Sequence, residues 1–158
     1  MQIGKAIFNR FKRKECKYFP FLIHLYLVLI SFVASSDAIA LNVGSDDWEP
    51  AQVASAYAAA ESLGASLKLF LSFDFTAMGC TIPNLVSTVN QYANHPNQFK
   101  VDGKPMISSF EGGCLGNAGW ASLQSQTNGY TMPFISGLEG SFPSWPSLNQ
   151  WYWLVCFN

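Results

Sequence analysis

Four short apolar runs alternate with segments of helical periodicity, and this alternation limits the possible folds more than any other feature of the chain. The runs are Ala38 to Val43, Leu67 to Phe73, Pro105 to Phe110 and Tyr130 to Ile135. Because each run is almost continuously apolar, it predicts a parallel strand that is covered on both faces. The sequence therefore predicts the α/β class, and both a doubly wound sheet and a (β/α) barrel fit the pattern.

Three helical segments separate the runs, and they extend from the Asp46-Asp47 pair to Gly64, from Pro83 to Ala93 and from Ala118 to Gln126. The two aspartates are predicted to cap the first helix. Asp102-Gly103 predicts a tight turn ahead of the third run. A complete eight-unit barrel needs roughly 250 residues. A barrel in this chain is therefore expected to be a partial one, with about four β/α units and parallel strands.

The first 36 residues have the composition of a leader. Basic residues precede an apolar run from Phe19 to Val33, and small residues follow it, an order typical of a secretory signal peptide. The run is about 15 residues, shorter than the roughly 20 that a membrane-spanning helix needs. An uncleaved membrane anchor through residues 19–33 and a mis-spliced or non-coding translation stay open as alternatives. The main interpretation predicts a protein that is secreted to the extracellular space or cell wall.

Charge and cysteine usage exclude several classes of function. Charged residues make up 12% of the chain and six of the nine basic residues lie in the leader, so no basic face remains for nucleic acid. Two histidines and four cysteines without a CxxC spacing give little support for zinc. We predict no metal and no cofactor. Cys80 and Cys114 each follow an apolar run by several residues, so their loops can meet, and we predict a disulfide between them.

The candidate site residues stand where strands end. In parallel α/β folds, functional groups gather at the carboxyl ends of the strands. Asn42, Asp74 and Glu111 occupy such positions, and the two carboxylates are candidates for a glycosidase pair. The alternatives are that Asp74 caps the following loop, that Glu111 pairs with a lysine or binds the glycine-rich backbone after it, and that Asn42 makes a structural hydrogen bond.

Several segments in order resemble the early strands of glycoside hydrolase family 71, the fungal α-1,3-glucanases called mutanases: DAIALNVGSDDW (37–48), LKLFLSFDFTAMGC (67–80), NHPNQFKVDGKPMISSFEGGCLG (94–116) and GYTMPFISGLEG (129–140). The resemblance implies a TIM-type barrel, inverting hydrolysis of α-1,3-glucan of the glucan endo-1,3-α-glucosidase type, no metal requirement, and secretion towards cell-wall polysaccharide. It divides the chain into a leader (1–36), a partial glycoside hydrolase barrel (37–150) and an aberrant tail (151–158).

The resemblance carries no catalytic assignment onto this chain. The acidic pair of the family belongs to a Trp-Asn-Asp-x-x-Glu type motif, which the sequence does not contain. The leader also stands where relatives carry a further strand and helix. We therefore expect a glucanase fragment, truncated at both ends, in which Asn42, Asp74 and Glu111 contact the sugar. A non-catalytic cell-wall protein that binds α-glucan is the alternative.

Overall fold

The computed structural model describes residues 38–64, 66–138 and 140–151. The predicted leader lies outside the described residues, as does the predicted tail except Trp151. The strands are β1 (Ile39–Val43), β2 (Leu69–Asp74), β3 (Lys100–Val101), β4 (Lys104–Phe110) and β5 (Tyr130–Phe134). The helices are α1 (Glu49–Ser62), α2 (Ile82–Tyr92) and α3 (Gly116–Thr127), and short 3₁₀ turns cover Gly113–Leu115 and Phe142–Ser144. None of the described helices is long and apolar enough to span a membrane.

The sheet has the order β1-β2-β4-β5, and all three of these pairings are parallel. The four predicted apolar runs are the four parallel strands, and a helix follows each of the first three. The predicted α/β class is therefore confirmed. The short β3 is an addition that the sequence did not predict, and it pairs antiparallel with the start of β4.

The three helices of the described residues pack on one face of the sheet. Side chains of a strand alternate between its two faces, and those on the helix side form one hydrophobic cluster with buried residues of all three helices. The opposite face carries a separate cluster of strand residues, Ala38, Ala40, Phe70, Met106 and Met132. A doubly wound sheet places helices on both faces, whereas a barrel keeps them outside. The described part of the chain therefore has the arrangement of a partial barrel, in which the second face is the interior.

The start of α1 differs from the prediction. Trp48 occupies the N-cap position and makes no capping hydrogen bond through its side chain, and neither Asp46 nor Asp47 caps the helix. Instead, the Glu49 carboxylate in the first turn accepts hydrogen bonds from the backbone N–H groups of Gly44 (2.7 Å) and Asp46 (3.3 Å). A negative charge is favourable at this end of a helix, so a single glutamate both complements the helix dipole and fixes the loop after β1.

The hairpin formed by β3 and β4 covers the amino-terminal end of the interior. Asp102 and Gly103 have φ values of +50° and +77°, as a two-residue hairpin turn requires, so the predicted tight turn is confirmed. Phe99 and Val101 pack against the interior cluster, and the ring of Phe99 lies 6.2 Å from that of Phe70. The amino-terminal end of the interior is thereby closed by apolar side chains.

Asn97 stabilises the connection between α1 and β2 through hydrogen bonds. This side chain is buried, and its amide donates hydrogen bonds to the carbonyl oxygens of Ala60 (3.1 Å), Gly64 (2.9 Å) and Leu67 (2.8 Å). These carbonyls lie in the last turn of α1 and in the connection to β2. Without Asn97 they would need water molecules as hydrogen-bond donors inside the protein. One amide group therefore satisfies three backbone acceptors.

We predict that Asn97→Asp lowers the free energy of unfolding by about 3 kcal/mol or more, because it removes the donors and places a carboxylate among three buried carbonyls. Urea denaturation of the two proteins measures the difference. Asn94→Asp is the matched control, because Asn94 is exposed, and it is expected to change stability by at most about 0.5 kcal/mol. A loss of less than about 1 kcal/mol for Asn97→Asp would contradict this role.

Candidate functional site

Two rows of side chains cross the interior face at the carboxyl-terminal half of the sheet. The strand register pairs Asn42 with Ser72, Ser72 with Ser108 and Ser108 with Met132, which gives a middle row that is polar on three strands and apolar on β5. Two residues further along the strands, Asp74 pairs with Phe110 and Phe110 with Phe134, which gives an upper row. Each row lies on the same face as the apolar interior cluster because side chains alternate with a period of two. The sheet therefore presents polar and aromatic groups at its carboxyl-terminal edge. This edge, together with the loops that follow the parallel strands, is called the rim below.

Asn42 and Asp74 both lie on this interior face, with different degrees of exposure. Asn42 is exposed, whereas Asp74 is half-buried. The Asp74 carboxylate accepts hydrogen bonds from the backbone N–H (3.0 Å) and the hydroxyl (2.5 Å) of Thr76. Its backbone carbonyl also accepts the N–H groups of Ala77 and Met78. The aspartate therefore does cap the loop after β2, as the structural alternative held, and this contact fixes the direction of its carboxylate.

Glu111 stands in a strained turn directly after β4. It has a φ of +62° and the next residue, Gly112, has a φ of +123°. Positive φ is uncommon for a residue other than glycine and costs of order 1–3 kcal/mol. The Glu111 carboxylate accepts hydrogen bonds from the backbone N–H (3.1 Å) and the hydroxyl (3.0 Å) of Ser136, in the loop after β5. The partner of the Glu111 carboxylate is thus Ser136. It is neither a lysine nor the glycine-rich backbone after Glu111, the two partners considered in the sequence analysis.

The loops at the rim are joined to one another in the order of the strands. The Ser45 hydroxyl, after β1, donates a hydrogen bond to the carbonyl of Ala77 after β2 (2.7 Å). Cys80 and Cys114 form a disulfide that joins the loop after β2 to the turn after β4, with their Cα atoms 6.2 Å apart. Glu111 and Ser136 then join that turn to the loop after β5. By the chain-entropy model, closing the 34-residue loop between the cysteines stabilises the fold by about 3–4 kcal/mol.

The structure brings the three predicted site residues to one rim, but it gives the two carboxylates different partners. Asp74 binds within its own loop, whereas Glu111 binds the loop after the next parallel strand. Sequence reasoning missed Ser136, although it follows the fourth apolar run directly and so stands at the same rim. It also gave no role to Phe110 and Phe134. An apolar residue at the end of an apolar run cannot be told from a core residue by sequence alone.

One further feature adjoins the outer side of this rim. A surface groove of about 460 Å³ runs between α1 and α2 on the outer side and reaches the loops after β1 and β2, but its lining contains none of the three candidate residues. No group of three or more His, Cys, Asp or Glu in the described ranges is arranged to hold a metal ion.

Comparison with known proteins identifies the family. Residues 32–153 match the model of Glycosyl hydrolase family 71, and this range includes all the strands and helices of the described residues and the rim that they form. The chain belongs to this family. The TIM-type barrel expected of it also agrees with a solved structure of similar fold, the GH99 endo-alpha-mannosidase from Bacteroides thetaiotaomicron. That likeness has a TM-score of 0.64 at 15% identity and covers 84% of this chain and 45% of the other, so it concerns the fold alone.

Two curated relatives are similar in sequence. The chain is 35% identical over 123 residues to glucan endo-1,3-alpha-glucosidase agn1 of Schizosaccharomyces pombe, a match that covers 72% of this chain. It is 36% identical over 94 residues to mutanase Pc12g07500 of Penicillium rubens, which covers 58% of this chain. The matched regions span 27% and 20% of the lengths of these two relatives. The similarity therefore concerns one part of each relative.

We predict that Gly112→Ala strongly destabilises this family-71 domain. A methyl group there would lie 2.8 Å from the Trp120 ring and 3.0 Å from that of Phe75, at a φ that alanine adopts only with strain. Gly137→Ala is the matched control, because Gly137 has a φ of +76° and no atom within 4 Å of the added methyl. The control should cost about 1 kcal/mol, and Gly112→Ala at least about 2 kcal/mol more, by thermal or urea unfolding. Equal losses in the two variants would show that Gly112 is needed only for its backbone conformation.

Proposed function

We propose that this chain forms part of a glycoside hydrolase that cleaves α-1,3-glucan with inversion, in the manner of a glucan endo-1,3-α-glucosidase. The observation that carries the proposal is the family match over residues 32–153, together with two relatives whose names state α-1,3-glucosidase or mutanase activity. The matched range contains the whole rim of the partial barrel, which is where enzymes of this architecture place their active sites.

The candidate residues have chemistry that suits a neutral polysaccharide. Asn42 carries both donors and acceptors and is exposed on the interior face. Asp74 presents a carboxylate whose direction is fixed by Thr76, so it can accept hydrogen bonds from sugar hydroxyls without reorganising. Glu111 orients the loop after β5 through Ser136. We assign sugar contacts to Asn42 and Asp74, and to Glu111 a contact or supporting role at the same rim.

Inverting hydrolysis needs one carboxylic acid to protonate the leaving oxygen and one carboxylate to activate a water molecule. The hydrogen bonds that Asp74 and Glu111 accept fit binding and positioning better than this proton transfer. These contacts favour a second candidate function for the chain by itself, a non-catalytic cell-wall protein that binds α-1,3-glucan. Both candidates share the same ligand, and they differ in whether the glucan is cut.

The first prediction of this proposal concerns glucan binding. The 158-residue chain should sediment with insoluble α-1,3-glucan and not with cellulose. Asp74→Asn should weaken that binding about tenfold, because the amide keeps an acceptor for Thr76 but loses the charge that strengthens a sugar hydrogen bond. Asp102→Asn is the matched control, since Asp102 is exposed at the opposite end of β4 and an asparagine tolerates its positive φ.

Reducing sugar measured in the same assay separates the two candidates. Release of reducing sugar, with a product of inverted anomeric configuration by NMR, supports the hydrolase. Sedimentation without release supports the binding protein. If the chain prefers cellulose or binds neither polymer, both candidates fail, and if Asp74→Asn binds like the unchanged chain, Asp74 is not a sugar contact.

The second prediction of this proposal concerns location, and we propose that the chain is secreted. The basic and apolar order of the leader supports this, as does the Cys80–Cys114 disulfide, because such bonds persist in oxidising compartments. Expression in yeast should deliver the protein to the medium, with an amino terminus near residue 37 by Edman sequencing. The double variant Cys80→Ser/Cys114→Ser should reach the medium in a smaller amount. Recovery in the membrane fraction with residues 19–33 retained would instead support the anchored form.

A further inference from the structure

The upper row of the interior face contains an aromatic pair next to a carboxylate. Phe110 pairs in register with Asp74 on one side and with Phe134 on the other. The two phenyl rings are stacked, with centroids 5.5 Å apart and an angle of 19° between their planes. Both residues are half-buried. The pair therefore forms a single aromatic unit at the rim, with an acidic neighbour.

The layer one pleat below this pair is mixed, because Ser72 and Ser108 are polar whereas Met132, below Phe134 on β5, belongs to the apolar interior cluster. Ser72 and Ser108, one pleat below, are 5% and 0% exposed, and the Ser108 hydroxyl donates a hydrogen bond to the Met132 carbonyl (2.9 Å). The apolar residues Phe70 and Met106 come only one pleat further down. Phe110 thus stands above a polar side chain of its own strand, whereas Phe134 follows Met132 of the apolar cluster along β5. Two large apolar side chains stand in a row that opens towards the end of the barrel where ligands bind.

We propose that Phe110 and Phe134 form the stacking surface of a glucosyl subsite, and that Asp74 binds the hydroxyls of the same sugar unit. A glucose ring presents apolar C–H groups on its faces and hydroxyls around its edge. It therefore fits a site that combines aromatic surface with a hydrogen-bond acceptor at one side. This inference rests on the proposed function, and it deepens it by naming the residues that would hold the ring.

The test uses the 158-residue chain and short soluble α-1,3-linked glucose oligosaccharides, with the dissociation constant measured by titration calorimetry. Phe110→Leu and Phe134→Leu should each weaken binding about tenfold, because leucine fills similar volume but removes the aromatic face. Phe110→Tyr and Phe134→Tyr should bind within about twofold of the unchanged chain, because tyrosine keeps that face.

Phe99→Leu is the matched control for packing. Phe99 is also half-buried on the interior side and lies against Phe70, but at the amino-terminal end of the sheet. It should lose stability to a similar degree as the rim variants while leaving the dissociation constant unchanged. If Phe99→Leu weakens binding as much as the rim variants, the effect comes from general destabilisation and the inference is overturned.

A measurement on the unchanged chain keeps the test independent of whether the variants fold. Stacking on an aromatic ring shifts the C–H proton resonances of the bound sugar upfield, and we expect this shift in NMR spectra of the oligosaccharide. Binding without an upfield shift, or leucine variants that bind like the unchanged chain, overturns the subsite while the proposed function stands. Failure of the unchanged chain to bind any α-1,3-linked oligosaccharide overturns both.

Discussion

The parallel pairing of β2 with β4 is the constraint on which the rest of this domain depends. It sets Leu71 beside Ile107 on the helix side and Ser72 beside Ser108 in the interior. Because strand side chains alternate with a period of two, a slip of one residue would turn Ile107 inward and place Ser108, which now faces the interior, under the helices. One register therefore decides both where the apolar core lies and which groups reach the rim.

The rim above this sheet is organised before any ligand arrives. Its loops are linked by a hydrogen bond from Ser45, by the Cys80–Cys114 disulfide and by the Glu111 carboxylate on Ser136, and these links follow the order of the strands across the sheet. Loops fixed in this way lose little conformational entropy when a ligand binds. The strained backbone at Glu111 is consistent with this arrangement, since its conformation aims the carboxylate at the next loop.

The sequence was sufficient to predict the parallel strands and the helices between them, because continuous apolar runs and helical spacing are local signals. It also placed Asn42, Asp74 and Glu111 at one rim, since the end of a parallel strand is a position that can be read from the chain. The capping of α1 was predicted wrongly, because Trp48 occupies the N-cap and the Glu49 carboxylate instead binds the backbone N–H groups of Gly44 and Asp46 ahead of the helix. The Glu111–Ser136 contact could not be predicted, as it depends on a positive φ at a residue that is not glycine.

The interior changes in polarity from the amino-terminal to the carboxyl-terminal end, and each layer has a physical reason. The floor around Phe70 and Met106 is apolar because the β3–β4 hairpin covers it and excludes water. The serine layer above is tolerated where its hydroxyls find acceptors in the sheet, as Ser108 does. Phe110 stands above Ser108, so burial against the apolar residues further down does not explain its position, whereas Phe134 lies above Met132 of the apolar cluster. In the proposed subsite, an apolar face of the sugar would contact Phe110 and its stacked partner, and Asp74 beside them would meet the polar edge of that same sugar.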